Sequence, residues 1–288
     1  MTARGRASDG RHRRAISLAV TSGKGGVGKT NVVVNLAVAL ARLRNRVAIL
    51  DADFGLGNVD VLLGLTPPTH LGHLLTGDKA LDEVLVEGPH GIRILPASSG
   101  LRELTALSTR QWQRLNDGLD VLSSSVDFLL IDTGAGISNN VIDMITGADR
   151  VLVVTSLEPT SVVDAYAMVK ILTGSSPGKE LGLLVNGARD QAEADLVFRQ
   201  LDVAATRFLH RRLQSYGFVP QDPAVREAVL LQRSVVAHAP QAPSSQSFRR
   251  LATRIASLAP LGGPGLRLVP HADAARGLTP GMEAPQCA

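Results

Sequence analysis

Gly23-Lys24-Gly25-Gly26-Val27-Gly28-Lys29-Thr30 decides how the chain must fold, because of what stands on either side of it. The apolar run Ile16–Thr21 leads straight into it, and a helical pattern of aliphatic residues leaves it from Lys29. Strand, glycine-rich turn and helix in that order make a phosphate-binding loop. Glycines at 23, 25, 26 and 28 let the main chain turn its N–H groups inward around phosphate oxygens, and the following helix adds the positive end of its dipole. Lys29 is then placed to reach the β- and γ-phosphates of ATP, and the Thr30 hydroxyl to ligate Mg2+.

Working outward, short aliphatic runs recur at 47–50, 92–95, 128–131, 151–155, 181–186 and 218–219. Several carry no polar alternation, as strands covered on both faces should, and helical patterns at 29–44, 109–123, 160–172, 192–214 and 245–258 suit crossover helices. The expected fold is α/β, a mostly parallel sheet flanked by helices on both faces, in a single domain. Residues 1–15 are expected to form a basic disordered arm, 16–259 a P-loop ATPase domain, and 260–288 a disordered tail rich in Gly, Pro and Ala. Between 58 and 96 the pattern loosens around Pro67-Pro68 and reads as an irregular excursion suited to facing a partner.

A magnesium site needs carboxylates opposite Thr30, and two strand ends supply them. Phe128-Leu129-Leu130-Ile131-Asp132 is an apolar strand ending in an acid, the pattern of a carboxylate that holds Mg2+ directly or through water. Thr133-Gly134-Ala135-Gly136 then lets the chain turn close to the γ-phosphate. Val47-Ala48-Ile49-Leu50-Asp51-Ala52-Asp53 is a second strand running into acids at its carboxyl end, where open α/β sheets place ligands. Asp53 is the choice to orient the attacking water and Asp51 the residue on the metal side, a structural role for one of them remaining open; Asp60 is a weaker candidate.

Composition narrows the classes. The chain has 288 residues, 44% hydrophobic and 19% charged, with a formal net charge of +4. Arg4, Arg6, Arg11, Arg13 and Arg14 put much of that excess in one segment able to meet nucleic acid, anionic lipid or an acidic partner. Cys287 is the only cysteine, which argues against a disulfide framework or a cysteine metal cluster. Aromatic residues make up 3%, too few for single-strand stacking platforms. No apolar run approaches the roughly 18 residues of a membrane span, so a cytoplasmic protein is expected.

With these residues in place, the stretch from Ile16 to Leu258 resembles the deviant Walker A ATPases of the MinD/ParA type. Lys24 is the most specific mark, since an ordinary phosphate loop does not require it. In the family this lysine reaches across a face-to-face dimer, with ATP sandwiched, to the partner's phosphates, so the resemblance gives Lys24 a catalytic role beside Lys29 and Asp53. Residues 51–60 resemble the family's switch I, Asp132-Thr133-Gly134-Ala135-Gly136 its switch II, and Glu158-Pro159-Thr160-Ser161 with Asp164-Ala165-Tyr166 a further shared stretch. Asn186 and the Val219-Pro220-Gln221-Asp222 segment are similar to its adenine-side elements, Asn186 toward the base edge and the main chain at Val219 and Pro220 closing over it. Asn58-Val59-Asp60-Val61-Leu62-Leu63-Gly64, Gly88-Pro89 and Pro96-Ala97-Ser98-Ser99-Gly100 are similar to the flagellar number and placement regulators of the FlhG/FleN subgroup.

The resemblance implies a slow, dimerisation-dependent ATPase that works as a switch in flagellum biogenesis. Its alternatives are septum placement of the MinD type, partitioning of the ParA type, and a binding module that ATP only conforms. Implied partners are a second copy of the chain, an FlhF-type GTPase, and a flagellar regulator or basal-body component. Residues 1–15 lack the Asp-Gln-Ala-x-x-Leu-like helix with which members stimulate that GTPase. For a membrane surface at the inner face of the cell, the nearest candidate is the stripe Phe248, Leu251, Ile255 and Leu258, flanked by Arg249, Arg250 and Arg254; packing on the domain's own sheet is the competing reading. Arg207, His210, Arg211 and Arg212, on a predicted helix, are the candidate for nonspecific DNA, with a solvated face preferred.

Overall fold

Apolar runs this uniform can hide both faces only inside a layered sheet, and the computed structural model, which describes residues 14–97, 107–258, 266 and 268, forms one. All six residues of β1 (Ile16–Thr21) are buried, as are all six of β2 (Val47–Ala52), β5 (Phe128–Thr133) and β6 (Arg150–Thr155). With β3 (Val86–Glu87), β4 (Arg93–Leu95), β7 (Leu181–Ala188) and β8 (Gln214–Pro220) they make an eight-stranded sheet in the order β3-β4-β2-β5-β1-β6-β7-β8. Only the two-residue edge strand β3 runs antiparallel to its neighbour.

Helices cover both faces. One apolar cluster gathers β-strand residues with Leu36 and Leu40 of α1 (Lys29–Arg42), Val59 of α2 (Val59–Leu62), Val235 and Val236 of α10 (Val235–His238), and Phe248, Leu251 and Ile255 of α11 (Pro243–Ala256). The other gathers Leu71, Leu74 and Leu75 of α3 (Leu71–Thr76), Val84 of α4 (Leu81–Val84), Trp112, Leu115 and Leu119 of α5 (Thr109–Ser125), Met144 and Ile145 of α6 (Asn139–Gly147), Met168 and Leu172 of α7 (Pro159–Ser175), and Val197 and Leu201 of α8 (Gln191–Leu209). The helix α9 (Pro223–Leu230) links β8 to α10. The α11 stripe therefore faces the protein's own sheet: Phe248, Leu251 and Ile255 are 2%, 4% and 1% exposed, which withdraws this helix from a membrane. Among the described residues no helix is long and apolar enough to cross a membrane.

Several boundaries differ from expectation. The helix expected over 192–214 ends at Leu209, where His210 turns left-handed (φ 52°), and Asp202 accepts a hydrogen bond from the Leu213 main chain (2.9 Å) to lead the chain into β8. His210, Arg211 and Arg212 therefore lie off the helix. The excursion between 58 and 96 holds α2, α3, α4, β3 and β4. Helices α6 and α9 also stand where no helix was expected. Residues 1–13 of the expected arm, positions 98–100 of the subgroup motif, the boundary at 259, and 260–265, 267 and 269–288 of the expected tail lie outside the described residues.

What is described at the two ends is packed. Ala15 is buried, and the Arg14 guanidinium donates both to Asp120 (2.6 Å) and to the Leu266 carbonyl (2.9 Å). Leu266 and Leu268 are 2% and 1% exposed within the α5-side cluster. The Asn116 side chain grips Leu268 at two points, donating to its carbonyl (2.8 Å) and accepting from its N–H (2.9 Å). Leu266 and Leu268 themselves are thus held in the core by their burial and by hydrogen bonds from the side chains of Arg14 and Asn116.

Candidate functional site

The phosphate loop bridges the carboxyl end of β1 and the first turn of α1. Gly28 precedes the helix with φ 91°, and a Cβ there would fall 2.4 Å from Asn186 Nδ2, so only glycine serves. No side chain caps α1, which leaves its first N–H groups for an anion. Gly23 lies against the main chain of α7, where a Cβ would come 2.1 Å from the Asp164 carbonyl. That approach sets the neighbouring Lys24 beside α7, and its Nζ donates to Glu158 (2.5 Å) and Thr160 (3.0 Å). Sequence reasoning singled out all three residues but not their contact, since nothing in a spacing of 134 positions announces it.

Beneath the loop sits a buried electrostatic cluster. Parallel pairing puts Asp51 of β2 level with Asp132 of β5, and Val20 of β1 level with the same aspartate. Lys29, 8% exposed, turns back toward them; burial lowers its pKa, and the charges of Asp132 and Asp53 raise it in part. Asp132, 1% exposed, is pushed up to about 7 by burial, against a hydrogen bond from Thr30 and the nearby Lys29 charge, with Asp53 raising it further. Its Oδ1 has no hydrogen-bond partner. A buried, unpartnered carboxylate oxygen beside a threonine hydroxyl fits a hard cation. Among the described residues no group of three or more His, Cys, Asp or Glu gathers to hold a metal. The donor set matches an ion completed by phosphate oxygens and water.

Asp51 is differently employed. Its Oδ1 accepts from the Asp53 N–H (3.2 Å) and its Oδ2 from Asn58 (3.0 Å) and Val59 (3.2 Å), so it folds the 53–58 loop back on the end of β2. Burial and the Asp132 charge hold its pKa well above the ordinary carboxylate range. These three hydrogen bonds employ Asp51 in holding the loop. Asp53 is half-buried; its Oδ1 accepts from Leu56 N–H (3.1 Å), and a Cβ on Gly134 would meet that oxygen at 3.5 Å. Asp53 thus faces the Thr133–Gly136 turn, itself tied to the loop by Gly136 N–H to the Ser22 carbonyl (3.3 Å). Asp60, by contrast, caps the following turn through Val61 N–H (2.8 Å).

On the other flank, Asn186 of β7 donates to the Val27 carbonyl (2.7 Å), fastening the phosphate loop to the strand. Val219, buried, and Pro220 pair with Asn186 and Ala188 at the end of β8, and Gln221 N–H donates to the Ala188 carbonyl (2.9 Å). Gly23–Thr30, Asp51, Asp53, Asp132, Asn186, Val219 and Pro220 therefore share the carboxyl edge of the sheet. The basic candidates do not. His210, Arg211 and Arg212 precede β8 at the opposite edge, where Arg211 is bonded to the Pro177 carbonyl and Arg212 lies 3.7 Å from Asp202.

A family model described as an AAA domain matches residues 15–173. The antiactivator FleN of Pseudomonas aeruginosa is 44% identical over 240 residues, covering 83% of this chain and 86% of that protein. The flagellum site-determining protein YlxH of Helicobacter pylori is 33% identical over 242 residues, 83% of this chain and 81% of its own. Among solved structures, the septum site-determining protein MinD of Pyrococcus horikoshii, complexed with Mg-ADP, superposes with a TM-score of 0.72 at 23% identity, over 87% of this chain and 99% of that one. At that identity the likeness is one of fold.

Proposed function

The chain belongs to the MinD-like P-loop ATPases, in the FlhG/FleN subgroup, and from that premise we propose that it is an ATP-switched regulator of flagellar number and placement. The similarity to FleN and YlxH over most of the chain supports the flagellar role. The observation that carries the ATPase is the unpartnered Asp132 Oδ1 buried beside Thr30 and Lys29.

ATP is the substrate, its phosphates taken by the main-chain N–H groups of Gly23–Thr30 and by Lys29. Mg2+, held by Asp132 and Thr30, supplies positive charge to the phosphate oxygens when bound. Asp53 orients the attacking water from the loop that Asp51 folds. Asn186, Val219 and Pro220 take the base side. Lys24 is held within its own chain by an exposed ion pair, of a kind worth about 0–1 kcal/mol, so it is readily released. On binding ATP two copies meet face to face, Lys24 serves the partner's phosphates, and turnover is slow until they do. An FlhF-type GTPase and a flagellar regulator or basal-body component are the partners this cycle would address.

Two measurements test the reading. Wild type should release phosphate in a Mg2+-dependent reaction, with Asp53→Ala slower by about 100-fold or more while still binding ATP; no Mg2+-dependent release by either protein, with candidate partners added, would sink the ATPase. Deletion in the source bacterium should change the number or position of flagella. Normal flagellation with misplaced septa would shift the role to division-site placement.

A further inference from the structure

Gln232 is one of four residues other than glycine, among those described, that adopt a positive φ, here 52°. It follows α9, with its N–H bonded to the Val229 carbonyl and the next N–H, of Arg233, bonded to Ala228. That is a left-handed helix end, where glycine is the unstrained choice. A glutamine there carries backbone strain that a contact of its side chain can offset. Its Nε2 donates to the Val61 carbonyl of α2 (2.9 Å), 171 positions away in the chain. Gly64, just beyond α2 with φ 63°, admits the approach: a Cβ there would lie 3.3 Å from the Gln232 Cβ. The two helices are not otherwise pressed shut, for a cavity of about 440 Å3 lined by Leu63, Pro89, Arg233 and His238 opens beside the joint.

The joint links two segments that leave opposite flanks of the candidate site. From the γ-phosphate side, Asp51 holds the N–H groups of Asn58 and Val59, and α2 begins there. From the base side, Pro220 and Gln221 lead to Asp222, which caps α9 through Ala224 N–H (3.0 Å) and clasps the start of α11 through Ser244 N–H (3.0 Å) and Oγ (2.7 Å). α2 and α9 are thus the outward continuations of the two walls, and Gln232 joins them. We propose that Gln232 is a positioning residue that couples the switch I loop to the base-side wall, so that the grip on the nucleotide depends on whether the γ-phosphate is present. This rests on the nucleotide site proposed above. A γ-phosphate that draws in residues 53–58 moves α2, and through Val61 and Gln232 it moves α9 and the segment that closes over the base. The contact is exposed, so it is weak enough to break and re-form in a cycle.

Three variants of the full chain separate this from a purely structural helix end. Gln232→Ala loses the hydrogen bond and keeps the strained backbone; Gln232→Gly loses the bond and relieves the strain; Gln232→Lys can still donate to Val61. Binding of Mg2+ with a non-hydrolysable ATP analogue and with ADP is measured beside the thermal midpoint. Expected is a loss of at least about fivefold in ATP-over-ADP preference in both the Ala and the Gly variants, although their midpoints diverge with Gly the higher, and retention of the preference by Lys. Wild-type preference in the Ala and Gly variants, a preference that tracks the midpoint, or a wild type indifferent between ATP and ADP overturns the proposal. A wild type that binds neither nucleotide removes the phosphate-loop reading itself, and the coupling with it.

Discussion

Asp132 concentrates the chemistry of this protein in one side chain. With its pKa at about 7 against an ordinary value near 4, the nucleotide-free folded state holds a proton between those limits that the unfolded state has released. The contribution of this group to stability therefore falls as pH rises from about 4 to about 7. A cation that needs the carboxylate must displace that proton, so apparent Mg2+ affinity in the presence of ATP should be about tenfold weaker at pH 6 than at pH 8. Titration of Mg2+ into the ATP-bound protein at the two values checks it, and Asp132→Asn should narrow the difference to what protonation of ATP's own terminal phosphate leaves. Lys29, Thr30 and Asp132 were legible in the sequence because each is fixed by its place on a strand–loop–helix unit or at a strand end. Asp51 was not. Two residues apart on the same strand end, Asp51 and Asp53 look alike, and only the return of residues 53–58 puts three N–H groups on one and leaves the other facing the Gly134 turn.

Elements were legible where periodicity alone determines them, and less so where the environment decides. The stripe on α11 was correctly read as helical, yet the same stripe suits a lipid surface or a sheet. Its burial beside α1 settles the matter, and Leu251→Ala should cost about 2–5 kcal/mol of stability as a cavity in the core, read from urea unfolding. A loss below about 0.5 kcal/mol would mean that the helix does not pack as described. The end of α8 escaped notice because Arg211-Arg212-Leu213-Gln214 prolongs a helical pattern with no glycine or proline to stop it, while the turn is made by a left-handed His210. β3 and β8 lie at the sheet edges, where strands carry weak patterns: one is two residues long and the other interleaves polar residues. The sheet order itself followed from no local signal, since β5 enters between β1 and β2 from more than 70 positions downstream.

At the scale of the whole molecule, the carboxyl edge of the sheet carries the phosphate loop, residues 51–60 and 132–136 and the Lys24–Glu158 pair, so all of these lie on one face of the protein. If that face meets a second copy when ATP is held, Asp53→Ala should double in mass by light scattering with ATP and remain a monomer with ADP; a monomer in both would count against the sandwich. Two exposed apolar side chains, Leu56 within residues 51–60 at 76% and Ile137 just after the Thr133–Gly136 turn at 54%, are placed to be covered in such a dimer. The opposite edge behaves differently. There Arg14 bonds the carbonyl of Leu266, so segments 252 positions apart meet where β1 begins. A six-residue strand spans about 20 Å, and that length of rigid sheet stands between this meeting point and the ATP face. A fluorescent reporter or surface anchor set at this meeting point would ride behind the molecule like a keel, reporting on or fixing its position while the face with the phosphate loop stays free.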